Sequence, residues 1–134
     1  MQNPVILIVE DHKNIRKAIS TCLQSEGYNT LEVETGEKAL RLLRSFDDIR
    51  LVLLDIGLPG MSGLDAIQSI REIKKKRNIK VCFISGHSEK SDILKAIQLG
   101  GDDYIVKPLD GDTLLNKVQS MLRGKNKAPT EEES

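Results

Sequence analysis

Five short apolar runs punctuate the chain: Val5–Val9, Thr30–Val33, Leu51–Leu54, Lys80–Ile84 and Tyr104–Val106. They are rich in Val, Ile and Leu and mostly unalternated, the pattern of strands covered on both faces. Between them the apolar positions recur at helical spacing. Ile15, Ala18, Ile19, Cys22 and Leu23 mark a first helix, with Gly27 as its stop. Ala39, Leu40, Leu42, Leu43 and Phe46 mark a second. A third opens on "SGLD", where Ser62 and Asp65 have capping-box spacing, and carries Leu64, Ile67, Ile70 and Ile73. Ile93, Leu94, Ala96, Ile97 and Leu99 form a fourth that stops at Gly100. The fifth starts near Asp110 and carries Leu114, Leu115, Val118, Met121 and Leu122. Strand–helix units in such a row predict an α/β domain, a five-stranded parallel sheet with helices on both faces, because right-handed crossovers permit little else.

The chain has 134 residues, which suits one domain with a real core. Residues 1–123 carry the strand–helix rhythm. The closing "GKNKAPTEEES", residues 124–134, is polar and aperiodic and reads as a disordered tail or linker. Net charge is zero, so there is no overall attraction to nucleic acid or to an anionic membrane. The one basic stretch, "REIKKKRNIK" at 71–80, reads as the solvated end of the third helix. Cys22 and Cys82 each sit within an apolar pattern, as reduced and buried thiols do. "VILIV" is too short for a signal-peptide core, and no apolar run approaches a membrane span. A cytoplasmic location is expected.

Polar residues collect at one place in this pattern. In an open parallel sheet, ligands bind beyond the carboxyl ends of the strands, where the strand order reverses. Glu10 and Asp11 follow the first run, Asp55 the third, Ser85 the fourth and Lys107 the fifth. With strand order 2-1-3-4-5 these ends lie side by side. Taken singly, Asp11 reads as a helix cap and Ser85 as a strand end. Together, three carboxylates repel one another unless a cation joins them. Oxygen-only ligands at a half-open site suit Mg²⁺, and Mg²⁺ suits a phosphoryl group. Lys107 and Ser85 then supply donors to phosphoryl oxygens, and Asp55 is left as the nucleophile.

Over roughly residues 4–123 the sequence resembles the receiver domain of bacterial two-component response regulators. The resemblance rests on "ILIVEDH", "LVLLDIGLPGMSGLD", "VCFISGHSE" and "GGDDYIVKPLD", in that order and spacing. It implies a flavodoxin-like doubly wound fold and a phosphorylation-controlled switch, self-catalysing its phosphotransfer and dephosphorylation rather than acting as an enzyme on other substrates. It implies Asp55 as phosphoacceptor from a histidine kinase or phosphotransfer protein, and Glu10, Asp11, Asp55 and the Gly57 carbonyl around Mg²⁺. Ser85 matches the switch hydroxyl, Tyr104 the switch aromatic and Lys107 the phosphate-binding lysine, with a cis bond before Pro108. It further implies that phosphorylation changes the surface of the fourth helix, fifth strand and fifth helix, where a partner or a second copy, as a homodimer, would dock. Glu10 stands where Asp is commoner, Gly101 where Ala is usual, and Gly57 and His87 occupy positions that tune phosphoryl lifetime.

Two other readings compete. A Mg²⁺-dependent phosphatase resembling the haloacid dehalogenases also uses a nucleophilic Asp, but carries a second Asp two residues later, where this chain has Gly57. A flavin module needs a phosphate-cradling loop after the first strand, where "EDHKN" offers acids and no glycine.

Overall fold

The structure, a computed structural model, describes residues 4–61, 63–74, 78–86, 94–95 and 97–123. Five strands, β1 (Val5–Val9), β2 (Asn29–Val33), β3 (Ile49–Asp55), β4 (Lys80–Ser85) and β5 (Asp103–Val106), form one sheet. All pair in parallel, in the order β2-β1-β3-β4-β5. Helices α1 (Lys13–Ser25), α2 (Gly36–Ser45) and α3 (Gly63–Lys74) connect successive strands, and α5 (Gly111–Leu122) follows β5. A fourth helix, α4, is described at residues 94, 95, 97 and 98. The expected α/β architecture and strand order are those of the molecule.

The pleat divides the apolar runs between two cores, since alternate side chains point to opposite faces. Leu7, Val9, Val52, Leu54, Val81 and Phe83 face α2 and α3, where Ala39, Leu43, Ile67 and Ile70 meet them. Ile6, Ile8, Leu51, Leu53, Cys82 and Ile84 face α1 and α5, against Ile19, Leu23, Leu114 and Val118. Double coverage of the central strands explains why their sequences do not alternate. The edges differ. At β5, Tyr104 and Val106 are 40% and 39% exposed while Ile105 is buried.

Several boundaries depart from the apolar pattern. β3 begins at Ile49, two residues before the run Leu51–Leu54, and β2 and β5 each begin one residue early. Asn29 and Asp103 are polar yet pair with Val5 and Cys82, which side-chain polarity does not report, and Ile49 pairs with Val5 across an irregularity that skips Arg50. Phe46 is not on the second helix: α2 ends at Ser45, and Phe46 is its extended C-cap, 44% exposed. The stops at Gly27 and Gly100 have φ of 90° and 128°, which L side chains rarely adopt. At Gly100 a Cβ would also lie 2.8 Å from the Arg71 side chain. Ser62, His87, Ile93, Ala96 and residues 124–134 lie outside the described residues.

Candidate functional site

The site is built by four strand ends. Asp55 and Ser85 are the last residues of β3 and β4 rather than the first beyond them, so the sheet itself fixes both backbones. Glu10 follows β1, and its N–H still donates to Val33 O at 3.1 Å, which extends the sheet by one rung. Lys107 follows β5, its N–H donating to Ser85 O at 2.8 Å. These registers draw the side chains of Glu10, Asp55 and Lys107 into one pocket. Glu10 and Ser85 are fully buried, and Asp55 is 4% exposed.

Lys107 Nζ donates to Asp55 Oδ2 at 3.1 Å and stands 3.2 Å from Glu10 Oε1. The other Asp55 oxygen accepts the Gly57 N–H at 2.9 Å. Glu10 Oε2 accepts the His12 N–H at 3.1 Å. Burial pushes the Glu10 carboxyl above its ordinary pKa; the His12 N–H opposes this and the Asp55 charge adds to it. For Lys107 burial alone would lower the pKa, but the hydrogen bond and charge of Asp55, joined by Glu10, outweigh it and raise it. Lys107 is therefore held as a cation beside the two carboxylates.

One lysine does not balance this corner. Among the described residues Glu10 Oε1 has no aligned hydrogen bond despite its nearby ammonium, and the buried Asp11 Oδ1 has none either. One ligand atom from each of Glu10, Asp11, His12 and Asp55 lies within 4.8 Å of the others. Oxygen-rich donors, two of them without a hydrogen bond, form a pocket that could hold a metal ion and fit a hard divalent one. Glu10, Asp11 and Asp55 are thus brought together, and Gly57 lies on the exposed rim next to Asp55, bonded to it through its N–H.

The groups on the β4–β5 side are not aimed at Asp55. Ser85 Oγ donates to Gly86 O at 3.1 Å. Tyr104 points outward, with Lys117 Nζ 5.3 Å from its ring centroid. Lys117 is held in turn by Asp103 Oδ1 at 2.9 Å. The Lys107–Pro108 peptide bond is cis.

Three residues near the site do not emerge from the apolar pattern. His12 turns its ring toward the acids, with Nδ1 3.0 Å from Glu10 Oε2 and 3.4 Å from Asp11 Oδ1. Arg16 donates to Glu10 O at 2.8 Å and pairs with Glu32 at 3.4 Å, tying the acidic turn to β2. The available signal was spacing: Arg16 lies one helical turn after His12, which itself adjoins two acids. Lys117 is the third, and only the packing of α5 on β5 places it beside Tyr104.

The model of the response regulator receiver domain matches residues 6–119. This chain belongs to that family of phosphorylation-dependent signalling switches. It is 34% identical over 122 residues to the aerobic respiration control protein ArcA of Escherichia coli (strain K12), covering 91% of this chain and 50% of that protein. It is 33% identical over 118 residues to the cell cycle transcriptional regulator CtrA of Caulobacter vibrioides (strain NA1000 / CB15N), covering 88% and 50%. The chain spans about half the length of these curated relatives. Among solved structures, a CheY-like response regulator receiver domain protein from Methanospirillum hungatei JF-1 superposes with TM-score 0.82 at 28% identity, covering 92% of this chain and 97% of that one. No described helix is long and apolar enough to cross a membrane.

Proposed function

We propose that Asp55 accepts a phosphoryl group from the phosphohistidine of a histidine kinase or phosphotransfer protein. One observation carries the reading: a nearly buried carboxylate at a strand end, with one oxygen on a lysine, beside two further acids. Glu10, Asp11, Asp55 and the Gly57 carbonyl would hold Mg²⁺, which when bound neutralises charge on the transferring oxygens. The Asp55 carboxylate attacks phosphorus, the bond from phosphorus to the donor nitrogen breaks, and its electron pair stays on the imidazole. Lys107 already touches Asp55 Oδ2, so it meets the incoming phosphoryl oxygens without being recruited. Ser85 is one strand over and must leave Gly86 O to reach them. Its inward motion opens room by β5 that Tyr104 fills, changing the surface of α4, β5 and α5, where a second copy would pair as a homodimer. Residues 1–123 act as the receiver and 124–134 as a polar tail or linker, in the cytoplasm. Gly57 has no side chain to protonate a leaving group, so nothing supports turnover of outside phosphoesters.

The test is incubation with Mg²⁺ and a small phosphodonor, read by intact-protein mass spectrometry. The parent should gain one phosphoryl group and Asp55→Asn none; undiminished labelling of Asp55→Asn would refute the assignment.

A further inference from the structure

Glu10 divides its carboxylate between two neighbours. Oε1 faces the Lys107 ammonium at 3.2 Å, while Oε2 faces the His12 ring, 3.0 Å from Nδ1. His12 Nδ1 is also 3.4 Å from Asp11 Oδ1. The contact of His12 Nδ1 with Glu10 Oε2 is of hydrogen-bond length, and since cis ligands on one octahedral ion with bonds of about 2.1 Å stand about 3 Å apart, the same 3.0 Å also fits an edge of a coordination shell, with Asp11 Oδ1 a little farther at 3.4 Å. His12 occupies the N-cap of α1, yet its side chain makes no capping bond and turns back over the acidic turn instead. Arg16, the other nearby cation, is engaged with the Glu10 carbonyl and with Glu32, and leaves this edge to the imidazole.

We propose that His12 Nδ1 is a further ligand of the metal pocket and that it shifts the pocket toward borderline divalent ions. The inference rests on the reading of Glu10, Asp11 and Asp55 as metal ligands. Mg²⁺ is hard and keeps oxygen ligands and water, so an imidazole adds little to its binding. Ni²⁺ is borderline and favours imidazole nitrogen, whereas the harder Mn²⁺ accepts it more weakly. The side chain of His12 is 66% exposed, so it reaches an ion from the solvent side of the pocket while the acids hold it from below. The choice of metal would then depend on the residue immediately after the acidic pair.

The chain has two histidines, so the measurement is made on the full, untagged chain carrying His87→Ala, which leaves His12 as its one imidazole. Calorimetric titrations with Mg²⁺, Mn²⁺ and Ni²⁺ compare this background with its His12→Ala and Asp11→Ala variants. His12→Ala should change Mg²⁺ affinity by less than about twofold, weaken Mn²⁺ several-fold, and weaken Ni²⁺ by roughly tenfold or more. Pulsed electron paramagnetic resonance of the Mn²⁺-loaded background should show nitrogen modulation from a bound imidazole, absent from His12→Ala. Equal losses for all three ions would make His12 a general electrostatic neighbour and overturn the proposal, as would nitrogen modulation that survives His12→Ala. Asp11→Ala separates the two levels. If it loses all three ions while His12→Ala leaves Ni²⁺ untouched, only the role of His12 falls; if it still binds Mg²⁺ like the background, the acidic metal pocket falls with it.

Discussion

The two halves of the site differ in how finished they are. On the β1–β3 side, Glu10 and Asp55 are buried, backbone N–H groups already bond both carboxylates, and Lys107 bridges them. On the β4–β5 side, Ser85 bonds its own neighbour, Tyr104 leans outward under Lys117, and Val106 faces solvent. The first half lies on central strands packed from both faces, where movement would cost core contacts. The second runs from Ser85, buried at the end of the inner strand β4, out to β5 at the sheet edge, where Tyr104 and Val106 are exposed and fewer contacts resist movement. A switch needs both: a rigid place to receive charge, and a loosely held element whose position that charge can bias by a few kcal/mol.

This contrast is open to attack, first through the metal. In divalent-free buffer Lys107 is, among the described residues, the one lysine or arginine within ion-pair distance of Glu10 and Asp55. Mg²⁺ at about a hundredfold its dissociation constant should stabilise the parent by about 2.7 kcal/mol, while Asp11→Ala gains little. Urea denaturation with and without the ion measures this, and an equal gain in Asp11→Ala would show that the acids are not its ligands.

Next comes the lysine. Lys107→Met removes the cation between two buried carboxylates, a loss worth 3–5 kcal/mol for a fully buried pair. Lys107 is 23% exposed, so solvent screening reduces the expected loss to roughly 1–2 kcal/mol without metal. Addition of Mg²⁺ should recover part of it.

The pH dependence follows from the raised pKa values. Glu10 binds a proton more readily folded than unfolded, so in metal-free protein its contribution is most favourable below the ordinary carboxylate range. It declines as pH rises from there through the folded value, and Glu10→Gln should flatten that decline in thermal melts. Lys107 acts at the other end. Its raised pKa gives stabilisation that is fully present below the usual lysine value and lost as pH climbs through the folded one.

The smallest changes in stability test the mobile half. Ser85→Ala should cost under about 1 kcal/mol, since among the described residues its hydroxyl bonds the adjacent carbonyl alone. It should still take phosphoryl on Asp55, yet amide shifts induced by beryllofluoride across residues 94–109 should collapse. Parent-like shifts there would sink the hydroxyl switch and leave the phosphoacceptor standing. Lys117→Met removes the cation over Tyr104 at a cost of about 0.5–1 kcal/mol, and NMR of the ring should report a wider range of Tyr104 rotamers. An unchanged ring signal would mean that Lys117 does not restrain it.

Much of this was legible in the chain itself. Unbroken Val, Ile and Leu runs between helical periods determine a doubly covered parallel sheet, because no other arrangement buries both faces of such strands. The acids after the first run, Asp55 at the end of the third and Lys107 after the fifth are equally plain, since a charged residue beside a buried strand stands out from its surroundings. What the sequence does not contain is distance. That Glu10 faces Lys107 with one oxygen and His12 with the other depends on where the β1–α1 turn points, and that is set by Arg16 reaching across to Glu32 on β2. The outward pose of Tyr104 depends on Lys117 of α5 lying over β5. Phe46 belongs to the helical period and yet lies beyond the end of α2, because the backbone turns extended there. Periodicity is a property of neighbours along the chain, so it fixes elements and faces. Side-chain pairings between elements depend on how those faces dock, and only the packed structure decides them.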